Sequence, residues 1–400
     1  VRTGVLLIFN LVFAVPALVV LVRWLWPLSL PLWAKMPAAL LMIGASQFHL
    51  WSRLSSGSVF APEFPRFLVI LFNWAFGALL VLAVLQLILD VATLLTMLVR
   101  REVVREPDGL RYSAGLLAAL LAAIGVANAL RVPPVRDVAV TVPNLPASFD
   151  GYRIVQLTDL HISRLFTAEW AQAVVTRSNA AGADLVVVTG DFIDGSVQMR
   201  RADVEPLRHL HARDGVYAIP GNHEYFFNYR AWMRHLSDMG FRMLPNAHAV
   251  IHRGGARLVV AGVTDLSAPS VGEAAPDLGL AVRGAPAEAP VVLLDHQPRN
   301  ARTAAARGVA LQLSGHTHGG MIIGLDRLVA RANGGFVSGR YEVGGMTLYV
   351  SNGTGLWPGF ALRLGVPSEI TRITLRAPPR TRAPDPLTKQ SARRRVTPPK

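Results

Sequence analysis

The sequence predicts an α/β domain preceded by an all-α, multi-pass transmembrane region, and three observations carry that expectation. Uncharged runs of Leu, Val, Ala, Phe and Trp dominate residues 1–131, whereas nearly all the His, Asp and Gly punctuation comes later. From residue 153 onward, short β-branched runs end in polar clusters and are often followed by amphipathic segments, the alternation of an α/β fold. At 400 residues the chain also exceeds what one core usually needs. The division read from this is 1–131 for the transmembrane region, 132–376 for the α/β domain and 377–400 for a basic, Pro-rich disordered tail.

A hydrocarbon core of roughly 30 Å takes about 20 apolar residues in a helix. Four stretches approach or exceed that length: 4–26, 32–51, 67–99 and 113–130. The third has no turn signal that would fold it into a hairpin, so its end near Asp90 is expected to run past the bilayer. Asp90, with no evident partner, reads as snorkelling or solvated rather than functional, and His49, Asn73 and Gln86 read likewise. A cleavable leader would fit the first stretch alone; the three that follow favour a multi-pass anchor in the cell membrane. Val1 in place of Met leaves open an alternative start or a chain missing its beginning.

Four spans place both ends of this region on one side of the bilayer. The loops on the other side hold Arg23, Lys35, Arg100, Arg101, Arg105 and Arg111, against Arg2, Arg53, Arg66, Arg131 and Arg136. The cluster at 100–111 makes those loops cytoplasmic by the positive-inside rule, and the α/β domain extracytoplasmic.

The formal net charge of +14 invites a nucleic-acid reading, but residues 371–400 alone carry nine Lys or Arg against Asp385. That tail cannot bury enough apolar surface to fold and reads first as a solvated disordered tail, with attraction to anionic headgroups as a secondary use; nucleic acid is not expected as a partner, and the lipid bilayer is expected through the apolar stretches. The chain has no cysteine, which removes disulfides and thiolate ligands; any metal must sit on nitrogen and oxygen donors. Oligomeric state is left open.

Within the α/β domain, Pro133, Pro134, Pro143 and Pro146 surround a β-prone run at 138–142, read as a linker and an edge strand. Strand-like runs then lead into polar clusters. Residues 153–157 precede Thr158-Asp159-Leu160-His161, 185–189 precede Gly190-Asp191, and 216–219 precede Pro220-Gly221-Asn222-His223-Glu224. Residues 291–294 precede Asp295-His296, and 309–313 precede Ser314-Gly315-His316-Thr317-His318-Gly319-Gly320. Helices are expected at 168–181, 200–211, 230–239 and 299–307. Each cluster therefore falls at the carboxyl end of a strand, where α/β sheets bind ligands.

Donor chemistry points to metal. Asp159 and His161 are two positions apart, so on extended chain they point the same way and can share a cation, and His316 and His318 repeat the spacing. Asn222 offers a neutral carbonyl oxygen, and the two oxygens of Asp191 can bridge a pair of cations that activate water between them. Glycines at 190, 221, 315, 319 and 320 leave room for sharp turns and close approach.

These blocks resemble the calcineurin-like metallophosphoesterase superfamily, whose order is Asp-x-His, Gly-Asp, Gly-Asn-His-Asp/Glu, His and Gly-His-x-His. The likeness covers roughly 137–376 and lies nearest the bacterial membrane-associated branch similar to YkuE and YaeI, which includes hydrolases of lipid-precursor pyrophosphates. It implies a four-layer αββα sandwich. It also implies one metal on Asp159, His161 and His318, a second on Asn222, His296 and His316, Asp191 bridging, and His223 as transition-state stabiliser or proton donor. The two divalent ions would be drawn from Mn, Fe, Zn, Co or Ni. Met321 stands where the branch usually has Gln, and Asp295 where it usually has Ser; neither removes a ligand.

Arg363 and Trp357, after Asn352-Gly353, are candidates to meet a substrate phosphate and an acyl or base moiety, set against ordinary packing or surface roles for Arg and Trp in a loop, and Asp265 is a candidate support for the ligands. The expected activity is hydrolysis of a phosphodiester, phosphomonoester or pyrophosphate, on a lipid-linked or envelope substrate. The alternatives are a phosphodiesterase for soluble nucleotides and a non-enzymatic membrane scaffold; the complete ligand set weighs against the scaffold.

Overall fold

The computed structural model describes residue 10 and residues 14–378. The start of the first expected span and nearly all of the tail fall outside the described residues.

The apolar region is helical: α1 (Ala14–Leu25), α2 (Leu32–Ser46), α3 (Phe48–Ser56), α4 (Arg66–Arg100) and α5 (Asp108–Leu130). Among the described residues, two helices are long and apolar enough to cross a membrane, α4 with 35 residues and α5 with 23. At 1.5 Å per residue α4 spans about 52 Å, longer than a bilayer core, as its missing turn signal implies. The stretch expected as one span over 32–51 is instead broken at Gln47, and the 15 residues of α2 reach only about 22 Å. Ser29 bonds Asp108, and Trp24 Nε1 donates to the Arg111 carbonyl at 2.7 Å. The α1–α2 and α4–α5 loops therefore share one end of the region. Asp90 does have a partner: Arg23 donates to both its oxygens at 3.0 Å. That pair lies 67 positions apart in the chain, beyond what local sequence shows.

The α/β domain is built on two six-stranded sheets. Sheet one runs β1 (Val135–Thr141), β12 (Ile370–Arg376), β2 (Arg153–Leu157), β3 (Leu185–Thr189), β4 (Val216–Ile219), β5 (Arg242–Met243). Sheet two runs β10 (Gly339–Val343), β11 (Met346–Val350), β9 (Leu311–Ser314), β8 (Val291–Leu294), β7 (Ala256–Gly262), β6 (Ala247–Arg253). β1 is the edge strand expected near 138–142.

Strand period divides the faces. Leu185 and Val187 of β3 meet Ile219, Val260, Val292 and Leu313 in a core between the sheets, while Val186 and Val188 face Trp170, Val174, Val204 and Trp232 of the outer helices. Those helices are α6 (Ala168–Ala180), α7 (Val197–Val204) and α9 (Tyr229–Asp238); α8 is the short Asn222–Phe226 turn. α10 (Leu278–Ala281) and α11 (Ala301–Ala306) cover the outer face of sheet two through Ala281, Ala301 and Ala304, and α12 (Asp326–Ala332) follows β9. The result is the four-layer order helix, sheet, sheet, helix.

The boundary expected at residue 131 divides helices from sheets in the chain but not in packing. Phe48, Val69 and Phe76 of the apolar region share one core with Val155, Leu160 and Leu356. Asn73 on α4 donates to the Pro358 carbonyl at 2.9 Å and accepts from Ala361 N–H at 2.6 Å. Glu63, in the loop before α4, pairs with Arg164 at 2.7 Å and with the fully buried Arg200. Removing one partner of an isolated buried pair costs about 3–5 kcal/mol; without Glu63, Arg200 would keep Asp203 at 3.6 Å and the Asp194 and Met199 carbonyls, so part of that cost is expected. Glu63→Ala is therefore expected to lower the thermal unfolding midpoint of the full chain in detergent clearly, and more than Arg164→Ala does. Equal, small effects from both would contradict the junction described.

Candidate metal centre

Every expected ligand lies just past a strand end. β2 leads to Asp159 and His161, β3 to Asp191, and β4 to Asn222 and His223 from sheet one; β8 leads to His296, and β9 to His316 and His318 from sheet two. The site thus closes across the carboxyl ends of both sheets.

The backbone there is not extended, as the spacing argument assumed. Asp159, His161, Asp191, His316 and His318 all adopt left-handed conformations, with φ of 53°, 46°, 53°, 71° and 49°. Such residues cost on the order of 1–3 kcal/mol each and persist where the surroundings over-determine them. Here they are laced together: Asp159 N–H donates to the Gly190 carbonyl at 3.0 Å and His161 N–H to the Asp191 carbonyl at 3.1 Å. Glu224 accepts from the N–H groups of Gly221, Asp191 and Phe192 at 2.7, 3.1 and 2.8 Å. A Cβ on Gly221 would come within 2.2 Å of Asp191 Oδ1, and one on Gly315 within 2.2 Å of Asp159 Oδ2, so these two glycines set how closely the loops approach. Nor is the chain extended at Asn222 and His223, which open α8, so their side chains diverge by helical rotation.

The donors converge in two groups. His161 Nδ1 faces Asp194 Oδ2 at 3.0 Å, leaving Nε2 toward His318 Nε2 at 3.2 Å and Asp159 Oδ1 at 3.9 Å; His318 Nε2 is 3.5 Å from Asp159 Oδ1. His296 Nδ1 donates to the Thr189 carbonyl at 2.8 Å, so its Nε2 is free to face Asn222 Oδ1 at 3.0 Å, and His316 Nδ1 lies 2.9 Å from the same oxygen. Asp191 Oδ2 stands between the groups, 3.7 Å from His161 Nε2 and 3.3 Å from His296 Nε2. Lone pairs aimed at one another in a buried site repel unless a cation lies between them. The donor set therefore fits divalent-metal binding, and the hydrogen bonds behind His161 and His296 are of the kind that orient ligating imidazoles.

Burial disfavours charge on Asp191, yet His296 and His223 outweigh it and hold its carboxyl well below the usual carboxylate range. Burial, with help from His296, pushes His316 down to about 3; burial and His161 push His318 well below the usual histidine range. Neutral imidazole is the ligating form; His296 departs from it, since Asp191 and Asp159 outweigh burial and hold it well above the usual histidine range, so a bound cation would have to displace its proton. Burial also pulls on His223, but Asp191 and Asp194 prevail and push it up to about 9.

Asp194 escaped the sequence reading. Its carboxylate, fully buried, bonds His161 Nδ1 and also His223 Nδ1 at 2.5 Å, so one group orients both rings. The signal was present: an Asp three positions after Asp191 on the same turn. Asp265 supports the His296 loop, accepting from Gln297 Nε2 at 2.9 and 3.1 Å. Asp295 is buried, and burial with the neighbouring Asp265 pushes its carboxyl up to about 8. The reading of Arg363 as a substrate contact needs correction. Its guanidinium is 1% exposed and donates to the carbonyls of His318, Val366, Asn352 and Gly355, which fixes it beneath the His318 loop.

Residues 152–320 match the profile of the calcineurin-like phosphoesterase family. Similar proteins include a transmembrane protein with metallophosphoesterase domain of Danio rerio, 36% identical over 65% of this chain and 61% of its own length. An uncharacterized metallophosphoesterase of Campylobacter jejuni is 33% identical over 65% of this chain and 68% of its own, and the uncharacterized metallophosphoesterase YkuE of Bacillus subtilis is 31% identical over 58% and 82%. The chain spans about three fifths of the length of the Danio rerio protein and of a Bos taurus protein of the same description. With the motif order, the two-group donor geometry and these matches in agreement, the chain belongs to the calcineurin-like metallophosphoesterase family.

Proposed function

We propose that the chain is a membrane-anchored, binuclear-metal phosphoesterase acting on a lipid-linked or envelope phosphoester or pyrophosphate. The observation that carries the chemistry is the placement of Asp191 Oδ2 between two converging sets of buried donors. Asp159, His161 and His318 would hold one divalent ion and Asn222, His296 and His316 the other. Such a pair lowers the pKa of water and neutralises phosphoryl oxygens, and Asp, Asn and His donors accept Mn, Fe, Zn, Co or Ni alike. His223, 6% exposed, is held from behind by Asp194, which leaves Nε2 to carry a proton toward a departing oxygen.

The membrane part of this reading rests on α4 and α5 and on their outward apolar side chains, among them Leu87, Ile88, Leu94, Leu98, Leu116 and Leu120, each at least half exposed. α1 and α2 would complete a four-helix anchor. Arg23, Lys35, Arg100, Arg101, Arg105 and Arg111 lie toward the shared loop end, which supports that end as cytoplasmic and the α/β domain as extracytoplasmic.

Two outcomes are expected. His223→Ala keeps its metals and lowers kcat by roughly 10²- to 10⁴-fold, less on nitrophenyl esters whose leaving group needs no proton. Asp191→Ala loses metal. Equal impairment of His223→Ala on good and poor leaving groups would remove the proton-donor role. For topology, protease added to intact cells, permeabilised where an outer membrane exists, is expected to reach the α/β domain; cleavage only in inverted vesicles would reverse the orientation.

A further inference from the structure

Phe60 lies in the loop between α3 and α4, far from the metal ligands in sequence, yet it reaches the candidate proton donor. Its ring centroid is 5.2 Å from that of His223, edge-on. It stacks on Phe226 at 5.0 Å and 15°, and lies 5.7 Å from the Trp357 ring. Phe226 is also 5.2 Å from His223 and is 39% exposed, with Phe60 and Trp357 half-buried. Three aromatic rings from three separate stretches thus form one partly open wall beside His223. A phosphate has no use for such a wall, since its oxygens need cations and donors; an apolar group attached to it does.

The wall is fixed rather than hanging. Val59 and Ala61 are buried on either side of Phe60, and Glu63 ties the loop to Arg164 and Arg200. Arg66 Nε reaches the Leu165 carbonyl at 3.3 Å. Beyond the loop, the first turns of α4 expose Phe67 at 68% and Leu71 at 51%, so outward apolar surface begins a few residues from Phe60 on a helix long enough to span a bilayer.

We propose that Phe60, Phe226 and Trp357 form a subsite for a hydrocarbon group carried by the scissile phosphate, which makes the substrate an amphiphilic phosphoester. This rests on the phosphoesterase reading above and names the residues that would hold the apolar part of its substrate. The loop of the apolar region is then part of the substrate pocket and not only its tether.

The test uses the full-length, Mn²⁺-loaded chain in detergent with methyl-, butyl- and hexylphosphonate, whose affinities are measured by calorimetry and by inhibition of bis-p-nitrophenyl phosphate hydrolysis. Each methylene that reaches the wall should tighten binding by up to roughly fourfold, so hexylphosphonate should bind at least about tenfold tighter than methylphosphonate. Phe60→Ala is expected to reduce that ratio to about threefold or less, with Phe60→Leu restoring most of it; a single ring's loss removes much of the covered area. Phe226→Ala, at an exposed ring, gives the same reading should Phe60→Ala not fold. Equal affinity for all three phosphonates, or a ratio unchanged in both alanine variants, overturns the subsite. Chain-length selectivity without ester hydrolysis would sustain the subsite and overturn the phosphoesterase reading. Hydrolysis without selectivity would do the reverse.

Discussion

The carboxylates of Asp159, Asp191 and Asp194 are buried among five imidazoles, and the rest of the domain is arranged to permit it. An isolated buried carboxylate would neutralise rather than remain charged. Asp191, which accepts from His223 N–H, and Asp194, which accepts from two rings, are held below the usual carboxylate range by those neighbours against the pull of burial, whereas burial raises Asp159 even though it accepts from His316 N–H and Thr158 Oγ1. Packing so many polar groups at one point requires backbone that reverses at nearly every ligand. The left-handed residues at Asp159, His161, Asp191, His316 and His318 follow from that demand, as does the crowding around Gly221 and Gly315.

Two sheets with fully covered faces give those reversals something rigid to turn on. The parallel strands β2, β3 and β4 of sheet one and β8 and β9 of sheet two carry the candidate residues past their carboxyl ends; Glu224 and main-chain bonds from Asp159 and His161 lace the sheet-one loops together, and His296 Nδ1 to the Thr189 carbonyl and His316 N–H to Asp159 tie them to sheet two. Arg363 extends the same logic to the far loop by binding four carbonyls around His318 and Asn352. The apolar helices then enter as part of the domain core through Phe48, Val69 and Phe76, which explains how a loop preceding α4 arrives beside His223.

The candidate donor residues and their strand ends were legible because each motif is contiguous: a β-branched run, a turn glycine and a donor residue lie within a few positions. The four layers were legible through the resemblance and the alternation of strands and helices. What stayed hidden depends on distant chain meeting in space. Asp194 reads as one more turn Asp until His161 and His223 are both brought to it. Asp90 looked unpaired until Arg23 arrived from another helix, and Gln47 interrupts a stretch that composition alone reads as continuous. Arg363 misled for the opposite reason, since an arginine after a glycine-rich stretch looks like a phosphate contact unless its burial is known.

The measurement closest to the central claim is the metal content of the full-length chain, stripped and then saturated with Mn²⁺, alongside Asp191→Ala. A shared carboxylate between two donor groups predicts two bound metal equivalents per chain and their loss in the variant. Folded wild-type protein that takes up no more than one equivalent, or an Asp191→Ala variant that retains both, would contradict it.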